Sequence, residues 1–325
     1  MSQNICVISF DQWDYDHHIV KTLREKNISA NHIKIKDFKH ETFFARLKNT
    51  LSKIFFNTNP KRIKRQEYIL KKLKKKGLQD QILVINPELI DEIYHNQIKK
   101  YTTKYIAYLY DSVSRCSIDH LLDGVFDEIY SFDNNDIKRY GFKRSSNYIY
   151  FKPIINPKKT KYDFIYIGSI DNRIAILNKM AADLLPKAIN KEFFAIGKKA
   201  VVYTLRQLFL RKNKYIHFKA RKISQNRTLE LYEKSNFIID LVRENQVGLS
   251  FRVFEAMALH KKVITDNPII SSYSFYNPNN IFIWDHKTQQ IPSSFLETEY
   301  QQIPEEIYKE YTIDTWVDEI FQLKK

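Results

Sequence analysis

Hydrophobic and polar positions along the first half of the chain alternate between short strand-like runs and longer segments with helical spacing. The strand-like runs are ICVISF, HIKIKDF, ILVIN, YIAYLYDS, EIYSF and YIYF. Helix-like segments lie between most of them, namely HHIVKTLREKN, PELIDEIYHNQIKKY and NNDIKRYG. Parallel neighbouring strands need a crossover connection, and the crossover is usually a helix. The pattern therefore predicts a parallel sheet covered by helices.

The second half repeats this pattern after KPIINPKKTK, a run at 152–161 whose prolines and lysines indicate an interdomain linker. Its strand-like runs are DFIYIGS, FFAIG, YIHFKA, NFIIDL, KKVIT and NIFIWD. Its helix-like segments include AILNKMAADLL, TLELYEKS and FRVFEAMAL, and an amphipathic helical tail closes the chain. We predict an α/β protein with two Rossmann-like domains facing across a cleft, at 1–155 and 156–325, the second domain including the C-terminal helix. Ligands of open parallel sheets bind beyond the carboxyl ends of the strands, so functional residues are expected in the strand-to-helix loops.

Composition fits a globular protein that spans no membrane. The chain has 325 residues, of which 43% are hydrophobic and 28% charged, and this is ample for two buried cores. No apolar run approaches the roughly 20 residues that cross a bilayer, and the N-terminal sequence lacks the pattern of a signal peptide. Cys6 and Cys116 are too few for a disulfide framework or a metal cage. We therefore expect a cytoplasmic location.

The formal net charge of +16 is concentrated in one segment. Between Lys34 and Lys76 there are 15 Lys or Arg and 3 Asp or Glu, a net charge of +12. The spacing of apolar residues there predicts a basic insert at 40–77 that forms two helices. One interpretation places the insert on the anionic inner face of the cytoplasmic membrane, and another packs it on the first domain with its lysines in water. A third, non-enzymatic interpretation is nucleic-acid binding, although no nucleic-acid-binding module accompanies the basic stretch.

The strongest candidate for a chemical site lies at 240–267. Gly248 lets the backbone approach a ligand, and a helix expected to begin near Ser250 offers backbone amides to a phosphate. Arg252 and Glu255 are three residues apart and so share one face of this helix. A cation near a helix start suits a diphosphate, and a carboxylate one turn later accepts hydrogen bonds from two ribose hydroxyls. The loop predicts a nucleotide-diphosphate site, and the alternative is a surface ion pair on a helix that only packs the second domain.

The stretch GLSFRVFEAMALHKKVITDN resembles the donor-site signature of GT-B-fold glycosyltransferases, in particular bacterial capsule, lipopolysaccharide-core and CgeB-like enzymes. The resemblance extends to IYIGS with Arg173, to YDSVSR with FDEIYSFDNNDIKRYGF, and to SFYNPNNIFIWD. It implies an N-terminal acceptor domain and a C-terminal domain that binds a UDP-, GDP- or dTDP-sugar, with no obligatory cofactor. The implied acceptor is a glycan or glycolipid of the bacterial surface, as in capsule, lipopolysaccharide or exopolysaccharide synthesis.

Carried over residue by residue, the resemblance implies that Glu255 holds the ribose of the donor. The whole expected donor site comprises Gly168, Ser169, Arg173, Asn245, Gln246, Gly248, Leu249, Ser250, Arg252 and Glu255. Two positions depart from the family pattern, because Val247 replaces a first glutamate and His260 replaces a glycine before the next strand. Glu244, Asn245 or Gln246 is then expected to meet the donor sugar. These departures leave a catalytically inactive relative as an alternative.

In the first domain, catalytic residues are expected at the ends of the first and fourth strands. Asp111 follows YIAYLY and is placed to orient or deprotonate an acceptor hydroxyl, or else to cap the next helix. Asp16 and His17 form a candidate acid/base pair, although a histidine at a helix start is often only solvated. Asp14 and Asp16 also match a D-x-D metal-binding pattern, yet we predict no obligatory metal. Motifs of dinucleotide, P-loop and zinc-hydrolase sites do not occur in the sequence.

Overall fold

The computed structural model describes residues 3–11, 13–38, 60–152, 159–184, 190–210, 215–244, 246–287 and 290–323. The chain forms two compact units, Met1–Ser146 with Ile313–Lys325 and Asn147–Thr312. Each unit contains a six-stranded sheet in which every described strand pair is parallel. The predicted α/β class with two Rossmann-like domains is confirmed.

The sheet of unit 1 is built from strands whose order is β2-β1-β3-β4-β5-β6. Their bounds are β1 (Asn4–Ser9), β2 (Ser29–Lys34), β3 (Gln79–Ile85), β4 (Thr102–Tyr108), β5 (Glu128–Ser131) and β6 (Lys143–Arg144). Helices α1 (Asp16–Glu25), α2 (Pro60–Lys76), α3 (Glu92–Lys99) and α4 (Asn134–Tyr140) connect them. The apolar residues of β1 are buried on both faces, as expected for a central parallel strand. The strand order reverses between β1 and β3, so a ligand site is expected at their carboxyl ends.

The sheet of unit 2 has the order β12-β11-β10-β7-β8-β9. Its strands are β7 (Tyr162–Ser169), β8 (Lys191–Ile196), β9 (Ile216–Lys219), β10 (Ser235–Asp240), β11 (Lys262–Thr265) and β12 (Ile281–Ile283). Its helices are α5 (Arg173–Lys179), α6 (Ala200–Leu210), α7 (Gln225–Glu233), α8 (Phe251–Ala258), α9 (Ser293–Glu297) and α10 (Glu305–Glu310). The order reverses between β7 and β10, which places the second switch point beside the loop that precedes α8.

Two local predictions need correction. The run YIYF is not a strand: Tyr148 and Tyr150 are buried, but the backbone makes only an isolated bridge from Ile149 to Thr312. Its alternating pattern reflects side-chain packing within unit 2, where Tyr148 meets Phe251 edge to face at 5.3 Å. The sixth strand is instead β6, whose two residues are charged and exposed and therefore carry no hydrophobic signal.

The basic insert is described in part. Its C-terminal half is α2, which buries Gln66, Ile69 and Leu73 on unit 1 while Lys71 and Lys74 are exposed. Residues 39–59, which include the predicted first helix of the insert, lie outside the described residues. Within the described ranges, the helices are too short or too polar to cross a membrane.

The C-terminal helix, α11 (Ile313–Phe321), folds with unit 1. The predicted boundaries of 1–155 and 156–325 assigned it to the second domain. Trp316 is buried and packs edge to face on Tyr108 of β4, with ring centroids 5.1 Å apart. Gln81 of β3 donates to the Phe321 carbonyl at 2.8 Å, and Lys26 forms a 2.9 Å ion pair with Asp318. The sequence pattern predicts the helix but does not indicate which of the two sheets it packs on.

Candidate functional site

The switch point of unit 2 gathers polar residues from the loops after β7 and β10. Ser169 ends β7, Asp240 ends β10, and Ser250 is the residue before α8. Asp240 is fully buried and accepts a 2.7 Å hydrogen bond from Ser250 Oγ. Most of the residues predicted for the donor site therefore lie around one end of one sheet.

Arg252 is held at this switch point by three contacts. Its Nε lies 3.2 Å from Asp240 Oδ1, and its guanidinium carbon lies 5.3 Å from the centroid of the Tyr166 ring. Its Nη1 also donates to the Ile167 carbonyl at 3.4 Å. Arg252 and Glu255 do not form the surface ion pair of the alternative interpretation, because Glu255 is buried and Arg252 contacts the buried Asp240.

Arg243 is a site residue that the sequence prediction missed. Its Nη2 donates to Ser169 Oγ at 3.0 Å, and its Nε lies 3.4 Å from Asp171 Oδ2. The side chain is 40% exposed, against 13% for Arg252 and 4% for Arg173. Arg243 is thus the most accessible of the three guanidinium groups. Its position in the polar loop RENQVGLS, directly after the strand NFIIDL, is the signal that could have identified it.

Arg173 is buried at the start of α5, after the loop that follows β7. Its guanidinium group donates two hydrogen bonds to Asp171, from Nε to Oδ1 at 2.9 Å and from Nη2 to Oδ2 at 2.7 Å. Its Nη1 also donates to the Leu241 carbonyl at 2.9 Å. Burial alone would raise the pKa of Asp171, but the bonds and charge of Arg173 bring that pKa below its usual value. Because Arg173 is buried and joins the loops after β7 and β10, the geometry favours a positioning role over direct contact with a diphosphate.

Glu255 is buried with 1% of its surface exposed. Its Oε1 accepts a 2.5 Å hydrogen bond from the hydroxyl of Tyr150. In this conformation the carboxylate is bonded to Tyr150 and is closed to a ligand. The sequence suggested the carboxylate but not its partner, because Tyr150 lies 105 residues away along the chain.

The backbone of the loop before α8 is held by hydrogen bonds. Gln246 N donates to the Arg243 carbonyl at 2.9 Å, and the side chains of Asn267 and Asn147 donate to the carbonyls of Gly248 and Leu249 at 3.3 and 2.9 Å. Glu244 is exposed, and its Oε2 accepts from Asn172 Nδ2 at 3.3 Å. Asn245 lies outside the described residues.

His260 explains one departure from the family pattern. It follows α8 with φ of 52°, in the left-handed region where glycine is favoured. The next residue closes the helix end, since Lys261 N donates to the Ala256 carbonyl at 2.9 Å. The backbone therefore keeps the turn that a glycine would make, and the His260 ring stacks on Tyr300 with centroids 5.4 Å apart.

Substituting Gly168 with Ala is expected to lower the free energy of unfolding by about 1–3 kcal/mol. A Cβ atom on Gly168 would lie 2.6 Å from Cζ of Tyr166, whose ring is completely buried and cannot yield. Urea unfolding measures the loss. Gly197→Ala is the matched control, because its Cβ would meet Ile170 at an ordinary 3.4 Å. Equal stability of the two variants would show that the β7 terminus is not tightly packed.

In unit 1, Asp16 lies at the switch point beside the end of β1. Its backbone N donates to Asp11 Oδ1 at 3.0 Å, and its Oδ1 accepts from the Tyr110 hydroxyl at 2.5 Å. Burial and the nearby Asp11 carboxylate raise the pKa of Asp16 to about 6, although hydrogen bonds from Tyr110 and Ser9 oppose the rise. A carboxyl group with this pKa is suited to general acid/base chemistry near neutral pH.

His17 is half-buried beside Asp16, and burial is the main cause that lowers its pKa. Its Nδ1 has no hydrogen-bond partner among the described residues. Asp16 takes its side-chain hydrogen bonds from Tyr110 and Ser9, and the described contacts include none between Asp16 and His17, the predicted acid/base pair. Asp14 instead contacts Lys36 Nζ at 2.5 Å, and therefore the two carboxylates of the D-x-D pattern have separate partners.

Asp111 lies in the loop after β4 and not at a helix start. Its Oδ1 accepts a 2.7 Å hydrogen bond from Arg115 Nη1. The described segment at 112–118 contains no helix, so the capping alternative is wrong. The predicted role toward an acceptor stays a prediction.

No protein-family model matches the chain, and no curated protein matches it. Solved structures do match over nearly the full length of the chain. A UDP-forming α,α-trehalose-phosphate synthase from Burkholderia xenovorans, in complex with glucose-6-phosphate, has a TM-score of 0.60 at 9% identity and covers 99% of both chains. The lipopolysaccharide outer core galactosyltransferase WaaB gives 0.53 at 12% identity, covering 98% of this chain and 99% of its own. A UDP-GlcNAc 2-epimerase from Methanocaldococcus jannaschii, in complex with UDP-GlcNAc and UDP, gives 0.54 at 14% identity, covering 99% and 100%.

These similarities define the class of fold. The chain has the GT-B fold, and the resemblance to GT-B-fold glycosyltransferases is confirmed at the level of the fold. At 9–14% identity the similarities carry no residue roles.

Proposed function

We propose that this protein is a glycosyltransferase that moves a sugar from a nucleoside-diphosphate sugar to a glycan acceptor. The observation that carries the proposal is the placement of Arg243 and Arg252 at the β7–β10 switch point, next to the start of α8. Two guanidinium groups and a helix N-terminus form a site suited to a diphosphate. The fold supports the same activity, because similar structures include a galactosyltransferase and a UDP-forming synthase.

Unit 2 would bind the donor. Arg243 and Arg252 would neutralise the diphosphate, and Arg173 would keep the two loops in register. Glu255 would accept hydrogen bonds from the ribose once Tyr150 has moved, and the exposed Glu244 is available to the sugar. The rest of the expected contacts are with the β7 end and the loop before α8, at Gly168, Ser169, Asn245, Gln246, Gly248, Leu249 and Ser250. Stabilising the leaving diphosphate would supply much of the catalysis.

Unit 1 would bind the acceptor. Asp16 is the candidate base, because its raised pKa matches proton removal from a hydroxyl near neutral pH. His17 and Asp111 are candidates for orienting the same hydroxyl. We further propose that the acceptor is a bacterial surface glycan or glycolipid, modified at the inner face of the cytoplasmic membrane, with the basic insert as one contact with anionic lipid.

The first test is nucleotide binding. UDP, GDP, CMP and dTDP are each titrated against the full chain, with a short oligonucleotide as control, and thermal unfolding and calorimetry report binding. One nucleoside diphosphate should raise the melting temperature. Replacing Arg243 with Ala should weaken that binding at least about tenfold, because it removes a charge-assisted contact. Arg227→Ala is the matched control, since Arg227 is an exposed arginine of the same unit paired with Glu230.

Two outcomes would contradict the proposal. No response to any nucleotide, together with steeply salt-dependent oligonucleotide binding, would favour nucleic-acid binding instead. The epimerase among the similar structures favours one further possibility, sugar epimerisation. If the protein epimerised a nucleotide sugar and transferred no sugar to any acceptor, its activity would be epimerisation instead of transfer. The proposed donor site would still stand.

A further inference from the structure

Helix α6 carries a large exposed apolar surface. Leu208 and Phe209 are 69% and 81% exposed, although they are among the most hydrophobic residues of the chain. The other exposed apolar residues of this helix are Val201, Val202, Leu205 and Leu210. Contiguous apolar surface of this kind on a folded protein marks an interaction site.

Only a narrow side of α6 packs on unit 2. Ala200 is buried, the Tyr203 ring lies 5.1 Å from that of Phe218, and Gln207 Nε2 donates to the Ile216 carbonyl at 3.1 Å. These contacts fix the helix against β9, the edge strand of the sheet. The helix is therefore anchored by one face and leaves the opposite face outward.

The outward residues form a continuous stripe. At about 100° per residue, an arc of about 120° holds five apolar side chains and lies away from the packed side. In order around the helix these are Leu208, Val201, Leu205, Phe209 and Val202. We call these five residues the α6 stripe.

The charge around the α6 stripe has one sign. The stretch 193–229 contains ten Lys or Arg and no Asp or Glu. Lys198 and Lys199 are exposed just before the helix, and Arg206 is exposed in its middle. Arg211, Lys212 and Lys214 follow it directly in the sequence. An apolar stripe set among cations is typical of helices that lie in the interface of an anionic bilayer.

We propose that α6 docks unit 2 on an anionic lipid bilayer, with the α6 stripe inserted among the acyl chains and the flanking cations on the headgroups. A second copy of the chain is a poor occupant, because two such surfaces would bring their exposed cations Lys198, Lys199 and Arg206 together. Nucleic acid is also a poor occupant, since its proteins use cations and aromatic stacking rather than aliphatic side chains. With 11 residues, the helix is too short to span the bilayer.

This inference does not rest on the proposed function, and it is separate from the membrane contact proposed for the basic insert. Flotation of the full chain with vesicles tests it, using phosphatidylcholine alone or mixed with phosphatidylglycerol. Leu205→Gln/Leu208→Gln/Phe209→Gln should lower the vesicle affinity at least about tenfold. Leu78→Gln/Ile93→Gln is the matched control and should keep the vesicle affinity, because it makes the same change at two exposed apolar residues outside α6. The α6 variant should keep its melting temperature, since the three side chains are exposed.

A tryptophan in the α6 stripe gives a direct readout. Phe209→Trp should add fluorescence that shifts to the blue only with phosphatidylglycerol vesicles. Three results would overturn the proposal: undiminished flotation of the triple α6 variant, loss of flotation in the Leu78→Gln/Ile93→Gln variant alone, or a dimer by light scattering that the α6 variant converts to a monomer. The last would assign the α6 stripe to a second copy of the chain.

Discussion

Replacing Asp16 with Asn is expected to make the protein more stable at neutral pH while it removes the proposed sugar transfer. The pKa of Asp16 is raised from 3.8 to about 6 by burial and by Asp11. The folded chain therefore keeps a proton that the unfolded chain releases between about pH 4 and pH 6. The free energy of unfolding falls as the pH rises through this window, and above it ionised Asp16 costs about 3 kcal/mol. Asn carries no such penalty, and its Oδ1 can still accept from the Tyr110 hydroxyl.

Urea unfolding at pH 4 and pH 8 measures this effect. The Asp16→Asn variant should gain up to about 3 kcal/mol over the wild type at pH 8 and little at pH 4. Asp14→Asn makes the same chemical change in the same loop, but its carboxylate is 44% exposed and pairs with Lys36. That control should lose less than about 1 kcal/mol at pH 8. A variant that is no more stable than the wild type at pH 8 would refute the raised pKa.

The same variant tests the chemistry independently. If Asp16 is the base, its loss should lower kcat by about 10²–10⁴-fold. The kcat of the wild type should also rise with pH through about 6, where the pKa of Asp16 lies. A variant that is more stable but fully active would support the raised pKa of Asp16 and show that Asp16 is not a catalytic residue.

The sequence predicted the two sheets because each buried parallel strand is a short apolar run followed by a helix. β1 and β10 show this most clearly, since nearly all their residues are buried. β6 was missed because exposed charged residues form it through backbone pairing alone. α6 was missed for the opposite reason, because an apolar helix that faces outward breaks the usual relation between hydrophobicity and burial.

The sequence predicted which residues belong to the candidate site but not which side chains they contact. The loop before α8 and the Asp16 loop were found because polar residues and glycine follow buried strands. The hydroxyls that donate hydrogen bonds to their carboxylates lie far along the chain. Tyr110 is 94 residues from Asp16, and Tyr150 is 105 residues from Glu255. One sequence gives no signal for such pairs. Arg173 shows the same limit, because its burial follows from the loop after β10, which the local pattern does not contain.

Replacing Trp316 with Ala is expected to destabilise unit 1 by about 3–5 kcal/mol. Trp316 is buried on the inner face of α11 and packs on Tyr108, so its removal leaves a large cavity beside the central strands of this unit. The neighbouring buried residues of the helix, Val317 and Ile320, cannot fill that volume without moving the helix. Urea unfolding measures the loss of free energy, and Asp314→Ala, at an exposed position of the same helix, should change it by less than about 0.5 kcal/mol.

Hydrogen exchange identifies which unit the helix supports. In Trp316→Ala, amides of β1, β3 and β4 should exchange faster, because the free energy that protects them depends on the packing of α11. Amides of β7 and β10 should keep the exchange rates of the wild type. Faster exchange in β10 and β11, with unchanged exchange in β1 and β4, would show that α11 supports the second domain instead. Since the segment 313–321 follows unit 2 in sequence but packs on the first sheet, a chain cut before Ile313 should lose the stability of unit 1 and keep the fold of unit 2.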